Sequence, residues 1–360
     1  MMEQTQTLLE SITELSHEFG TPEYVRGGGG NTSVKTQATL WVKPSGTTLA
    51  GLTPRAFVGM DRQALGRLYQ AEIPEDPSAR EVLVKRIMEQ AVLPGSSGRA
   101  SVEAPLHDSL DARYVVHTHP ALVNGMTCSR GGRRACADLF PEALWLDYID
   151  PGFTLCMEVR GQIQAFKSRT GEEPGMIFLK NHGVFVAGAT PEAIRAQYAL
   201  IFERLQIHYQ EADVALTLPV GPLPCAAVLE DLTERISRAI PAPEAASVRP
   251  SGPFAVAEGP VSPDHIVYGK SYAFTGEPAD EAIRSFFETH GYWPRVLAAP
   301  AAVFGAGASD KRAALALEMA LDGALVRQLA AAFGGIEYMT DRARRFIENW
   351  EVESYRSKQL

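Results

Sequence analysis

Two stretches carry the reading of this chain. The first is Ser101-Val102-Glu103-Ala104-Pro105-Leu106-His107, running into Tyr114-Val115-Val116-His117-Thr118-His119-Pro120. The second, about sixty residues later, is Met176-Ile177-Phe178-Leu179-Lys180-Asn181-His182-Gly183. Tyr114, Val115 and Val116 favour a strand, and Pro120 cannot donate to a ladder, so the strand should end there. Residues i and i+2 share one side of a strand, so His117 and His119 should project together from its end. Met176 to Leu179 reads as a second buried strand with His182 just past it. Three imidazoles at strand ends can converge on one divalent cation and leave a position open for substrate. Isolated histidines at such places more often serve as hydrogen-bonded core or surface groups. Spacing and composition leave both readings open.

Composition narrows the classes. The 360-residue chain has a net charge of −9 and no long Lys/Arg run, which argues against a general nucleic-acid binder. No apolar run approaches the ~20 residues that span a bilayer. The segment from Met1 to Thr5 shows no basic-then-apolar leader. Cys128, Cys136, Cys156 and Cys225 are scattered without a CxxC pair, as expected of reduced structural thiols in a cytoplasmic protein.

Helical spacing of Leu8, Leu9, Ile12, Leu15 and Phe19 predicts a helix over residues 3–19, stopped by Gly20. The run Gly27-Gly28-Gly29-Gly30-Asn31 before a strand gives a backbone able to approach an anion closely. A strand at 39–42 leads into Lys43-Pro44-Ser45-Gly46, a second small-residue turn carrying a cation. Helices are expected over 78–92, 105–110, 121–127, 153–167 and 191–214, with a basic turn at Arg130, Arg133 and Arg134. Thr190 and Pro191 read as the N-cap and first residue of the last of these helices. His107, one helical turn beyond Glu103, suits packing or orienting a neighbour better than binding metal.

Composition shifts near residue 216, giving three parts: a first domain at 1–216, a Pro-rich linker with a helix at 217–255, and a small α/β unit at 256–360 of open role. In the last part, a strand is expected near His265-Ile266-Val267-Tyr268, with helices at 280–290 and 310–333. Gly305-Ala306-Gly307 lacks the third glycine of a dinucleotide fingerprint and reads as structural.

Five motifs stand in register: Gly30-Asn31-Thr32-Ser33, Lys43-Pro44-Ser45-Gly46, Ser101-x-Glu103, His117-Thr118-His119 and Asn181-His182-Gly183. In order and spacing they resemble the class II aldolase/adducin family, across roughly residues 5–216. The run Pro263-Asp264-His265-Ile266-Val267-Tyr268 and the closing segment from Trp350 to Leu360 resemble, more loosely, the aldolase portion of bifunctional rhamnulose-1-phosphate aldolase/alcohol dehydrogenases.

The resemblance implies an α/β fold: an α/β/α layered domain on a central mixed or antiparallel sheet. It implies zinc, or another divalent metal, on His117, His119 and His182, with Glu103 as catalytic carboxylate and further ligand. Gly30, Asn31, Lys43, Ser45, Gly46 and Ser101 would hold a substrate phosphate. The implied reaction cleaves a ketose 1-phosphate of the rhamnulose or fuculose type to dihydroxyacetone phosphate and a hydroxyaldehyde, through a metal-stabilised enediolate. Glu103 would then need a pKa raised by burial. The alternatives within the family are an epimerase, decarboxylase or dehydratase of a related sugar phosphate or acid, and a non-catalytic adducin-like binding module. Family members assemble as tetramers, so a homo-oligomer is expected. The sequence departs from the phosphate pattern at Val102 and Gly28, and Tyr148 is the candidate for a tyrosine reaching a neighbouring subunit.

Overall fold

The computed structural model describes residues 2–96 and 98–350 and divides into two compact units. The first comprises residues 1–120 and 133–204, the second residues 121–132 and 205–360. Residues 351–360 of the closing segment read from the sequence lie outside the described residues.

The first unit is built on a seven-stranded sheet. Its strands are β1 (Asn31–Lys35), β2 (Thr39–Val42), β3 (Val58–Asp61), β4 (Tyr114–Thr118), β5 (Leu144–Leu146), β6 (Met176–Leu179) and β7 (Gly183–Gly188). The order is β3-β2-β1-β4-β7-β6-β5, antiparallel throughout except for the β5–β6 pair. Its helices are α1 (Met2–Glu18), α2 (Arg62–Gly66), α3 (Pro77–Ala91) and α4 (Ala104–Ser109). After α5 (Ala121–Thr127), which belongs to the second unit, come α6 (Gly132–Leu139), α7 (Phe153–Thr170) and α8 (Pro191–Glu211), whose residues from 205 on are counted in the second unit.

Strand alternation sorts the side chains into two layers. Val115, Ile177, Leu179, Phe185 and Ala187 pack with Leu106 of α4, with Leu110 just past its end, and with Leu155, Val159 and Ile163 of α7. On the opposite face, Ser16 of α1 hydrogen-bonds Thr32 (2.7 Å) and Tyr198 of α8 hydrogen-bonds Thr118 (2.7 Å). The expected layered α/β domain with a central mixed sheet is the observed one. The basic turn expected at Arg133 and Arg134 is helical, lying within α6.

The second unit holds a four-stranded sheet of order β8-β11-β10-β9, from β8 (Ser247–Ser251), β9 (Phe274–Thr275), β10 (Val296–Ala298) and β11 (Val303–Gly307). Leu232 and Ile236 of α9 (Ala226–Ala239) and Ile283 of α11 (Asp280–His290) cover one face with Leu297 and Phe304. Ala320 of α12 (Asp310–Leu329) packs with Val296 and Val303 on the other. Residues 217–255, read as linker, contain α9 and the edge strand β8. The segment expected as a strand at His265–Tyr268 is instead helix α10 (Pro263–Gly269), and α13 (Asp341–Asn349) closes the described chain. All seven residues of α10 are buried, so its sequence shows no amphipathic period, while Pro263 at the first helical position favours the helix. A Cβ on Gly305 would lie 2.2 Å from the carbonyl oxygen of Ala313, so this glycine lets α12 pack on β11.

Candidate metal centre

The histidines meet at one end of the first unit's sheet, where antiparallel pairing gathers residues distant in sequence. Asn31 at the start of β1 pairs with His117 near the end of β4, and Thr118 pairs with Val184 at the start of β7. His182 lies in the tight β6–β7 turn. Asn181 there adopts φ +52°, a left-handed conformation that asparagine tolerates better than most side chains. Gly183 makes room for a histidine: a Cβ on it would lie 2.3 Å from the Thr118 carbonyl oxygen and 2.6 Å from Cδ2 of His119. Gly30 (φ +66°) does the same for His117, whose carbonyl oxygen would stand 2.7 Å from an added Cβ.

The Nε2 atoms of His117 and His119 are 2.9 Å apart, and those of His117 and His182 3.3 Å apart. Ligand nitrogens of all three rings lie within 4.8 Å of one another. His117 is fully buried, stacks on Phe185 at 3.8 Å between centroids, and donates Nδ1–H to the Val184 carbonyl (2.9 Å). A carbonyl can only accept, so this bond places the proton on Nδ1 and turns the Nε2 lone pair toward the other rings. Burial first, then His119 and His182, hold the His117 pKa well below its ordinary value, favouring the neutral imidazole that a metal requires. Nitrogens bound tetrahedrally at ~2.0–2.1 Å stand roughly 3.3 Å apart, so this donor set fits a divalent cation.

Glu103 sits immediately before α4. Its Oε1 is 3.8 Å from Nε2 of both His117 and His182, and its Oε2 accepts from Asn31 Nδ2. That carboxylate orients the Asn31 amide, whose Oδ1 must then accept from His107 Nε2–H. The His107 ring is neutral: burial first, then Lys35 and Lys43, push its pKa well below the usual range. Its Nδ1 therefore accepts from Ser33 Oγ (2.7 Å). Lys35 Nζ completes the row, donating to the His107 carbonyl and to the Leu110 carbonyl (2.5 Å). Burial lowers the Lys35 pKa to about 8.

The remaining candidate residues sit on the turns and strands around this end of the chain's first unit. The Ser45 amide donates to the Arg99 carbonyl (2.7 Å) and the Ser101 amide to the Lys43 carbonyl (3.2 Å), lacing the Lys43–Gly46 turn to the segment leading into Glu103. Lys43 is buried and its Nζ donates to the Gly28 carbonyl (3.4 Å). Gly46 takes φ +81°. Tyr148 follows β5, two strands beyond β7 in the sheet order. Ser33 and Lys35 escape the sequence reading. The signal for them is Asn31-x-Ser33-x-Lys35, polar side chains recurring with strand period on a buried strand.

Residues 10–209 match the family described as Class II Aldolase and Adducin N-terminal domain. The chain belongs to this family. It is 27% identical over 195 residues to an uncharacterized oxidoreductase, YuxG, of Bacillus subtilis; the match covers 51% of this chain and about a quarter (27%) of that protein. The N-terminal class II aldolase domain of a conserved Thermoplasma acidophilum protein is 26% identical, covering 55% of this chain and 92% of that one, with a TM-score of 0.47. YgbL of Escherichia coli, a putative aldolase/epimerase/decarboxylase, is 17% identical over 63% of this chain and 98% of its own, with a TM-score of 0.42. Among the described residues no helix is long and apolar enough to cross a membrane.

Proposed function

We propose that this protein is a metal-dependent aldolase that cleaves a ketose 1-phosphate of the 6-deoxyhexulose kind, rhamnulose- or fuculose-like, to dihydroxyacetone phosphate and a hydroxyaldehyde. The observation that carries the reading is the convergence of three imidazoles with a carboxylate oxygen 3.8 Å from two of them. His117, His119 and His182, with Glu103 alongside, would hold zinc or another divalent ion. Bound there, such an ion acts as a Lewis acid toward the negative charge that develops on the substrate oxygens.

The chain's own residues account for the rest. Cleavage breaks the bond between the carbon next to the ketone and the hydroxyl-bearing carbon beyond it. The electron pair stays with the ketone fragment, and the hydroxyl proton leaves as the aldehyde forms. That hydroxyl proton passes to water, and Glu103, in its protonated form, delivers a proton to the carbon that received the pair, so one proton is lost and one gained. Its Oε2 is held by Asn31, so Oε1 is the oxygen presented to the imidazole side. Gly30, Asn31, Lys43, Ser45, Gly46 and Ser101 are the proposed phosphate contacts, with a charge-assisted bond from Lys43. We place the enzyme in the cytoplasm as a homotetramer.

A second reading keeps the centre and changes the outcome to epimerisation, decarboxylation or dehydration of a related sugar phosphate or acid. It is favoured by Val102 and Gly28, which lack hydroxyls at two positions of the phosphate pattern. An adducin-like binding module would have no use for the retained Glu103 and three histidines. The name oxidoreductase belongs to a relative of which about a quarter is matched, and it is not carried over. The test is metal content of the purified protein together with dihydroxyacetone phosphate release from a panel of ketose 1-phosphates, with and without chelator. Near-stoichiometric metal with chelator-sensitive release supports the aldolase; metal without release moves the second reading ahead.

A further inference from the structure

One face of β1 carries Asn31, Ser33 and Lys35, all buried, and all three grip the α4 segment. Polar residues at three successive inward positions are costly unless each is bonded, and here each is. Lys35 caps the carbonyl end of α4, and Ser33 and Asn31 hold the two nitrogens of His107. The same Asn31 amide then reaches Glu103. Ser33 thus donates to His107, His107 to Asn31, and Asn31 to the carboxylate. His107 is fully buried and stands edge-on to Phe185 at 5.4 Å between centroids, which fixes its ring plane.

We propose that His107 is a positioning residue for Glu103, acting through Asn31, and that it takes no part in proton transfer. This rests on the reading of Glu103 as the proton-carrying carboxylate. A buried histidine beside a catalytic carboxylate invites assignment as its proton relay. The chain of donors argues against that, because among the described residues the side-chain link from His107 to the carboxylate runs through a primary amide. An amide donates a hydrogen bond from nitrogen and accepts one at oxygen, but it does not hand a proton from one side to the other at a catalytically useful rate. Asn31 insulates Glu103 from His107 while transmitting orientation. The carboxylate must exchange its proton through Oε1, on the imidazole side. Freezing Oε2 selects the rotamer that presents Oε1 there.

Two near-isosteric variants separate the roles. His107→Gln places an amide nitrogen where Nε2 stood and keeps the donor to Asn31, losing the acceptor for Ser33. His107→Asn keeps the acceptor for Ser33 and loses the donor to Asn31. Both remove the ring, so a general packing role would lower both alike. Positioning through Asn31 predicts that His107→Gln keeps kcat within about fivefold. It predicts that His107→Asn loses about 100-fold in kcat, the cost of a misplacement of about 1 Å, with little change in KM and unaltered metal content. Equal loss in the two variants overturns the proposal, as does a His107→Gln enzyme that loses one limb of the pH–rate profile.

Nitrogen-15 NMR of the wild-type protein tests the arrangement without turnover. The proposal requires His107 as the Nε2–H tautomer with Nδ1 unprotonated; an Nδ1–H tautomer overturns it even if both variants fail to fold. A wild-type protein that carries metal, shows this tautomer and cleaves no ketose phosphate refutes the aldolase reading and leaves the Asn31-mediated orientation of Glu103 in place.

Discussion

Gly183→Ala is the sharpest perturbation of the proposed metal centre, because it adds one methyl group and replaces no ligand. The new Cβ would lie 2.3 Å from the carbonyl oxygen of Thr118, 3.2 Å from its carbonyl carbon and 2.6 Å from His119 Cδ2. Ordinary contact requires the strand or the ring to retreat by about 1 Å. The Thr118 carbonyl cannot swing aside as a flexible side chain would, since β4 is paired with β1 on one side and β7 on the other. The imidazole of His119 is the softer obstacle and should take much of the displacement. Overpacking of this kind costs about 1–3 kcal/mol, and a backbone obstacle places it toward the upper end. Metal ligands tolerate departures of about 0.2 Å, so a ring moved several times that distance should lower metal affinity by at least the 10–100-fold seen when outer partners are lost. At a metal concentration near 100 times the wild-type dissociation constant, a 100-fold loss removes about 2–3 kcal/mol of ligand stabilisation. The assay is urea unfolding of metal-free and metal-loaded protein, paired with metal analysis after dialysis. The variant should be less stable without metal, and addition of zinc should narrow none of the gap. A Gly183→Ala protein that retains stoichiometric metal with wild-type affinity would refute the argument that Gly183 is the space His119 occupies.

Further outcomes follow from the same geometry. Glu103→Gln should lower turnover by about 10²–10⁴-fold and leave metal content unchanged, checked by steady-state kinetics beside metal analysis. Lys35→Met leaves the buried carbonyls of His107 and Leu110 without their donor and should cost about 1–3 kcal/mol, read in the same unfolding assay. His107 stays neutral when folded but takes up a proton near pH 6.5 when unfolded, so below that pH the unfolded state binds more protons. Stability should therefore fall as pH drops from 6.5 toward the folded value, by up to ~1.4 kcal/mol per pH unit from this group, and His107→Gln should flatten that slope. Of the four cysteines only Cys225 is exposed, while burial pushes the Cys136 thiol up to about 12. An aromatic disulfide reagent should thus titrate one thiol rapidly in the native protein, and Cys225→Ser should abolish that signal.

The centre was legible where chemistry and local pattern coincide. An apolar strand ended by His-x-His and a proline carries its own geometry, since strand period alone aims the two rings the same way. What His182 needs is less visible. Asn181 and Gly183 matter because one backbone turns left-handed and because the other must leave space for a ring on a different strand. The second requirement is not local. Asn31-x-Ser33-x-Lys35 reads as a polar strand edge, yet all three side chains are buried, because their partners lie on α4 more than seventy residues away. In the second unit, α10 defeats pattern reading for the opposite reason: burial on every side erases the period by which helix and strand are told apart.

Residues 121–132 bear on how this gene can be cut. They follow His119 and Pro120 directly in the chain, yet they belong to the unit made mostly of residues 205–360. There Tyr209 donates to the Leu122 carbonyl (2.6 Å), Arg130 N–H to the Gly335 carbonyl (3.0 Å) and Gly131 N–H to the Phe333 carbonyl (2.9 Å). The Cys128 carbonyl accepts from the Glu337 amide (2.7 Å). A truncation after residue 216 would delete most of these partners and leave these twelve residues orphaned one step beyond two of the proposed metal ligands. The two units are thus interleaved in the reading frame, and a chimera that exchanges residues 205–360 must exchange residues 121–132 with them.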